Sequence, residues 1–185
     1  MKRTQGRKLP LHFIDLQEGR GKMKKILVSK CLYGGDPVRY DGKSKAETDL
    51  RFLKWKAEGR LIPVCPEVFG GLPIPRADAQ RRGNKVIART GADVTAAYMA
   101  GAREAVRLAA EHQVICAIMK EKSPSCGSSR IYDGTFSGEL IAGQGMAVEL
   151  LRAAEVAVYS EAQLDDVERL IAEADAAEAA AEQKD

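Results

Sequence analysis

Residues 114–129, VICAIMKEKSPSCGSS, pass in one step from an apolar run to a loop of four serines, a proline and a cysteine. An apolar run this short, bounded by turn-forming residues, reads as a strand buried on both faces. The segment before it, from Asp93 to Gln113, repeats Val94, Ala97, Tyr98, Gly101, Ala105, Leu108 and Ala109 at helical spacing behind Asp93 as N-cap. A helix feeding a fully apolar strand is the repeating unit of a parallel sheet.

The same grammar recurs on both sides. KKILVSK at 24–30 and RLIPV at 60–64 are short apolar runs that stop at Cys31 and Cys65. Between them, residues 44–58 read as a helix with Leu50, Leu53 and Ala57 on one face and Gly59 as its stop. Downstream, 146–154 reads as a short helix and 155–160 as another strand. The last helix begins behind Ser160 and Gln163, a capping-box pair, and sets Leu164, Val167, Leu170, Ile171 and Ala174 on one face. Past Ala176 the Ala/Glu tail has nothing to pack and is expected to fray. The fold class is therefore α/β, a mostly parallel sheet covered on both faces. Ligands of such sheets bind at the C-terminal strand edge, where Cys31, Cys65 and Cys126 fall.

Charge narrows the partners. The net +3 conceals a basic stretch: residues 1–25 carry eight Lys/Arg against two Asp/Glu, which leaves the rest at −3. With aromatics at 5% and no basic face through the body, nucleic-acid binding is not expected. No uncharged apolar run approaches a membrane span, and residues 1–22 lack the apolar core of a secretory signal. A cytoplasmic protein with reduced thiols is expected, with 1–22 as a flexible basic arm or non-native extension. The domain is placed at 23–161, followed by a C-terminal helix and tail at 162–185.

Cys116 lies inside the apolar run and reads as a small core hydrophobe. The other three have no local CxxC spacing, so only the fold can gather them. Thiolates so gathered suit a soft metal or an iron–sulfur cluster; the alternatives are zinc or persulfide binding without catalysis, a small-ligand module using the sheet edge, or buried free thiols. Glu67, two residues after Cys65, is either a proton carrier beside the site or a first-turn helix residue. Ser123 and Ser125 either face what Cys126 holds or satisfy loop backbone. Gly70, Gly71 and Gly127 allow close backbone approach or plain turns. Arg39, Asp41, Arg76 and Asp93 are candidates for a polar substrate or for loop-bracing ion pairs, and Ser29 joins the candidates for substrate or loop contact.

The blocks VSKCLYGGDPVRYDGKSK, VCPEVFGGLPIPR, GADVT, MKEKSPSCGSSRIYDGTFSG and GQGMAVELLRAAEVAVYSE resemble the DUF523 family, whose characterised members are thiouracil desulfidases. The resemblance runs from about Lys24 to Glu161 and departs from the family pattern at Lys30 and Val38. It implies a Rossmann-like three-layer sandwich holding a [4Fe-4S] cluster by three cysteines, with one iron open to the sulfur of a small thiolated substrate. Carried over, the ligands are Cys31, Cys65 and Cys126, and the catalytic partners are Glu67 and Ser123. The implied reaction is C–S cleavage of the 2-thiouracil to uracil type, with release of hydrosulfide.

Overall fold

The computed structural model describes residues 23–43 and 45–183, so the basic arm at 1–22 lies outside the described residues. In chain order the elements are β1 (Lys25–Ser29), α1 (Lys30–Tyr33), α2 (Leu50–Ala57), β2 (Leu61–Val64) and α3 (Pro66–Phe69). There follow β3 (Ala79–Arg82), β4 (Lys85–Ala88), α4 (Thr95–Glu111), β5 (Val114–Met119), β6 (Arg130–Tyr132) and β7 (Leu140–Ala142). The chain ends with α5 (Met146–Ala153), β8 (Ala157–Ser160) and α6 (Leu164–Glu182).

Four strands form one parallel sheet in the order β2-β1-β5-β8. Alternation along each strand sends side chains to both faces. On β1, Leu27 joins the core under α4 and α5, together with Ala117 and Met119 of β5. Ile26 and Val28 point the other way and pack with Cys116 and Ile118 against Phe52, Trp55, Leu164, Val167 and Ile171 of α2 and α6. Helices thus cover both faces, and the fold is the Rossmann-like three-layer sandwich. Cys116 is fully buried, as expected of a core hydrophobe.

Three features differ from the sequence reading. Helix α2 starts at Leu50 and not at 44, with Asp49 accepting the Arg51 N–H, and it buries Phe52 and Trp55. Leu50 and Leu53 are left 82% and 42% exposed, because the aromatic pair removes more apolar surface from water than two leucines and an alanine. Helix α6 continues past Ala176 to Glu182. Alanine and glutamate have high helix propensity, and two ion pairs hold this end to the body: Arg60 to Asp175 through both guanidinium nitrogens, and Lys24 to Glu178 at 3.1 Å. Finally, β3–β4 and β6–β7 are antiparallel hairpins outside the main sheet. They are joined by the Gln80 side chain, which accepts the Phe136 N–H at 3.0 Å.

The chain runs from β1 to β2 on one side and then crosses to β5 on the other. The order reverses at β1 and β5, whose C-terminal ends open a crevice. Among the described residues, no helix is long and apolar enough to cross a membrane.

Candidate functional site

A cleft of about 570 Å³ lies above these strand ends, lined by Cys31, Cys65 and Cys126 together with Glu67, Arg76 and Ser123. The two hairpins wall it with residues such as Gln80, Tyr132 and Phe136. Cys31 follows β1 on the single turn of α1, which Gly34 closes by donating its N–H to the Lys30 carbonyl at 3.1 Å. Cys65 is the N-cap of α3, where Pro66 takes the first helical position and so forgoes no hydrogen bond.

Cys126 is set by its own loop. Ser123 Oγ accepts the N–H groups of Ser125 and Cys126, both at 3.1 Å. The loop carbonyls in turn satisfy the open N-terminus of α5: Met146 N–H donates to Pro124 O and Ala147 N–H to Ser125 O, each at 3.0 Å. Glu121 clamps the far side, accepting the Ser128 hydroxyl at 2.5 Å and the N–H groups of Ser129 and Arg130. Burial disfavours its charge, but these hydrogen bonds outweigh burial and hold the carboxyl below its usual range. Glu161 supports the same loop by accepting the Glu121 N–H and pairing with Lys120.

The thiols feel one another. Burial, then the proximity of Cys65, pushes Cys31 up to about 11, against a downward pull from Lys120 and Arg39. Burial raises Cys65, partly offset by the Val68 N–H. Burial raises Cys126 well above its ordinary value, the Ser29 hydroxyl opposes it, and Cys31, Cys65 and Glu67 add to the rise. Three neutral thiols thus share one buried region that favours cationic company once they ionise.

Glu67 stands beside the thiols in a secluded ion pair. Arg76 grips its Oε2 from two nitrogens, Nε at 2.9 Å and a terminal nitrogen at 2.5 Å. The pair is secluded, the side chains being 7% and 14% exposed. Burial, then the charge of Glu67 and hydrogen bonding to it, pushes the Tyr98 phenol of α4 far up.

The structure brings Cys31, Cys65, Cys126, Glu67, Ser123, Arg76 and Ser29 to the one cleft. Ser29 lines the cleft while being 1% exposed; its Oγ accepts the Lys120 N–H at 2.9 Å and donates to Met119 Sδ at 3.7 Å. Ser125 is fully buried, and its Oγ has no hydrogen-bond partner among the described residues. Gly127 serves its own loop: a Cβ there meets Ile131 Cγ2 at 2.8 Å and the Ser123 carbonyl at 2.9 Å. Gly70 packs on α4, where a Cβ falls 2.0 Å from Ala97 O. The N-cap of α4 is Val94 and not Asp93, because the helix begins at Thr95; Asp93, one residue earlier, accepts both the N–H and the hydroxyl of Thr95, and Asp41 pairs with Arg39, so both brace loops. Tyr98, Glu121 and Glu161 escaped sequence reasoning. Glu121 sits inside the quoted block, where a carboxylate five residues before a cysteine is the one available signal.

The donor set suits soft metal chemistry, since three thiols line the cleft. Among the described residues, no three His, Cys, Asp or Glu side chains gather closely enough to hold a single metal ion. The thiols rim a cleft and do not meet at one point.

Comparison with known proteins places the chain in a family and a fold. The 2-thiouracil desulfurase family matches residues 26–163. YbbK of Bacillus subtilis (strain 168), an uncharacterized protein, is 41% identical over 152 residues, spanning 77% of this chain and 99% of its own. The solved structure of the [4Fe-4S]-dependent thiouracil desulfidase TudS (DUF523Vcz) is 46% identical, with a TM-score of 0.78, over 80% of this chain and 98% of that one.

Proposed function

This chain belongs to the 2-thiouracil desulfurase family, and on that premise and the geometry of its cleft we propose that it is a [4Fe-4S]-dependent desulfidase. Its substrate is a thiolated nucleobase or a similar small thioamide heterocycle. The overall change, with 2-thiouracil as reference, replaces C=S by C=O: water supplies the oxygen, and sulfur departs as hydrosulfide. The observation that carries the reading is the convergence of Cys31, Cys65 and Cys126 with Glu67 and Ser123 on one crevice at the β1/β5 reversal.

Cys31, Cys65 and Cys126 would hold the cluster, which when bound would supply a Lewis acid able to polarise a thiocarbonyl. Glu67 receives a proton from the attacking water and returns it to the departing sulfur or ring nitrogen. Ser123 keeps its hydroxyl proton free, because its oxygen is used as an acceptor by two backbone N–H groups. That proton orients water or substrate, and the two N–H groups stabilise negative charge on the oxygen. Tyr132 and Phe136 on the hairpin side offer apolar surface to a planar ring.

Anaerobic reconstitution with iron and sulfide, followed by metal analysis and an assay of uracil and hydrosulfide from 2-thiouracil, tests the reading. Iron and acid-labile sulfide in a ratio near unity, with turnover, is the expected result. Protein that stays colourless and iron-free, or loaded protein inert toward thiolated bases, ends it.

A further inference from the structure

Glu67 is not held by its own loop. It projects from α3, a helix of a single turn, and its orientation comes from outside that turn. Arg76 lies beyond the proline-rich stretch that follows α3, and its backbone N–H is fixed to the Tyr40 carbonyl at 2.9 Å. Its guanidinium gives two donors to Glu67 Oε2 and, from the same terminal nitrogen, a further one to the Val38 carbonyl at 3.0 Å. Cys65 Sγ faces that same Val38 oxygen at 3.9 Å.

We propose that Arg76 is the positioning residue for Glu67: by occupying Oε2 from two nitrogens it fixes the carboxylate over the cleft. A planar guanidinium suits the role, since its fork sets distance and angle together, where an ammonium fixes only distance. The Tyr98 phenol closes the arrangement from α4. Arg76 therefore acts on the reaction through Glu67 and not as a contact to the substrate. This inference rests on the desulfidase reading and adds a division of labour within it.

The test uses the full chain, anaerobically loaded, with 2-thiouracil as the probe. Wild type is compared with Arg76→Gln, Arg76→Lys, Glu67→Gln, Tyr98→Phe and the Glu67→Gln/Arg76→Gln pair, for kcat, KM, and iron and sulfide per chain. Arg76→Gln is expected to keep its iron and a KM near wild type while kcat falls about 100-fold, the lower end of what a positioned acid–base group contributes. Arg76→Lys recovers part of that loss. The double variant is no slower than Glu67→Gln alone, because the two residues act as one unit. A raised KM at unchanged kcat makes Arg76 a substrate contact and overturns the proposal, as does a double variant whose losses multiply. Should Arg76→Gln fail to fold or to hold iron, Tyr98→Phe carries the test: kcat falls severalfold at constant KM, and an unchanged kcat overturns it. Loaded wild type that releases no hydrosulfide removes the desulfidase reading instead. Thermal midpoints of the same cycle then decide the Glu67–Arg76 coupling: a double variant no less stable than the worse single variant keeps it, and additive losses overturn it.

Discussion

Replacing Gly145 by alanine adds one methyl group at the junction of α5 and the cysteine loop, and the structure sets its cost. Gly145 has φ −72° and ψ 158°, a conformation open to any residue, so the backbone itself imposes no strain. Space does. The added Cβ falls 2.2 Å from the Ser125 carbonyl carbon, 2.3 Å from its oxygen and 2.6 Å from Cys126 N. To reach an ordinary contact of 3.4 Å, the loop has to retreat by about 1.2 Å. It cannot do so freely, because Gly145, Met146 and Ala147 donate to the carbonyls of Gly127, Pro124 and Ser125 at 2.8 to 3.0 Å. Overpacking of this kind costs about 1–3 kcal/mol, or roughly 3–10 °C in thermal midpoint for a domain of this size. The larger effect falls on the cofactor. Metal–thiolate bonds are about 2.3 Å long, and a ligand displaced by half that length no longer reaches. We expect Gly145→Ala to lose most of its iron and acid-labile sulfide after anaerobic reconstitution, with a lowered midpoint in the cluster-free protein. Gly143→Ala is the matched control, since its Cβ meets the Ile131 side chain alone, Cδ1 and Cγ1 each at 2.9 Å, and no backbone of the cysteine loop. Full iron content and an unchanged midpoint in Gly145→Ala would refute the reasoning.

Three further outcomes follow from named contacts. Cys31→Ser, Cys65→Ser and Cys126→Ser should each fail to retain a full cluster by iron and sulfide analysis. Cys116→Ser should keep it and lose only stability, about 1–3 kcal/mol for a hydroxyl placed in an apolar strand; iron loss in Cys116→Ser alone would show the ligand set to be wrong. Glu121→Gln should destabilise the chain at neutral pH by about 1–3 kcal/mol in urea melts, because hydrogen bonds to a charged acceptor are weakened. The folded Glu121 carboxyl lies below its ordinary value, so its charge stabilises above the unfolded pKa, and that contribution fades as pH falls through the folded one. The gap between wild type and variant should therefore close in acid, and a pH-independent gap would count against the clamp. Asp175→Ala removes the two-pronged contact with Arg60, a side chain only 11% exposed; amide exchange at the end of α6 should accelerate, and unchanged protection would show that propensity alone holds that end.

The sheet was legible because its strands are buried on both faces. VICAIM carries no charged residue, and KILVS is apolar between Lys25 and Ser29 at its two ends, so the runs announce themselves without alternation. The hairpins were not legible for the opposite reason. AQRR has a single fully buried side chain, Gln80, and RIY is three residues long, so neither presents a hydrophobic period to detect. In α2 the periodicity was present twice, through Leu50, Leu53 and Ala57 and through Phe52 and Trp55. Spacing alone cannot choose between two faces, and the contacts with Leu164 and Val167 of α6 chose the aromatic one. At the site, residue types pointed to Cys31, Cys65, Cys126 and Glu67, whereas partnerships did not. That Arg76 belongs to Glu67 depends on how the chain returns after α3, which no local pattern encodes.

The serine loop shows why two opposed readings of one residue can both hold. By residue type, Ser123 is a hydroxyl that either satisfies loop backbone or serves chemistry. A hydroxyl has two acceptor sites and one donor. Ser123 uses its oxygen as acceptor for Ser125 and Cys126, which fixes the turn and with it the third thiol. The proton is untouched by that duty, and two N–H dipoles directed at the oxygen make charge on it less costly. The structural role therefore prepares the hydroxyl for a chemical one. Ser123→Ala should then damage both functions at once, loosening Cys126 and removing the donor. Ser123→Thr keeps both the acceptor and the proton, and should retain the cluster wherever the added methyl group fits.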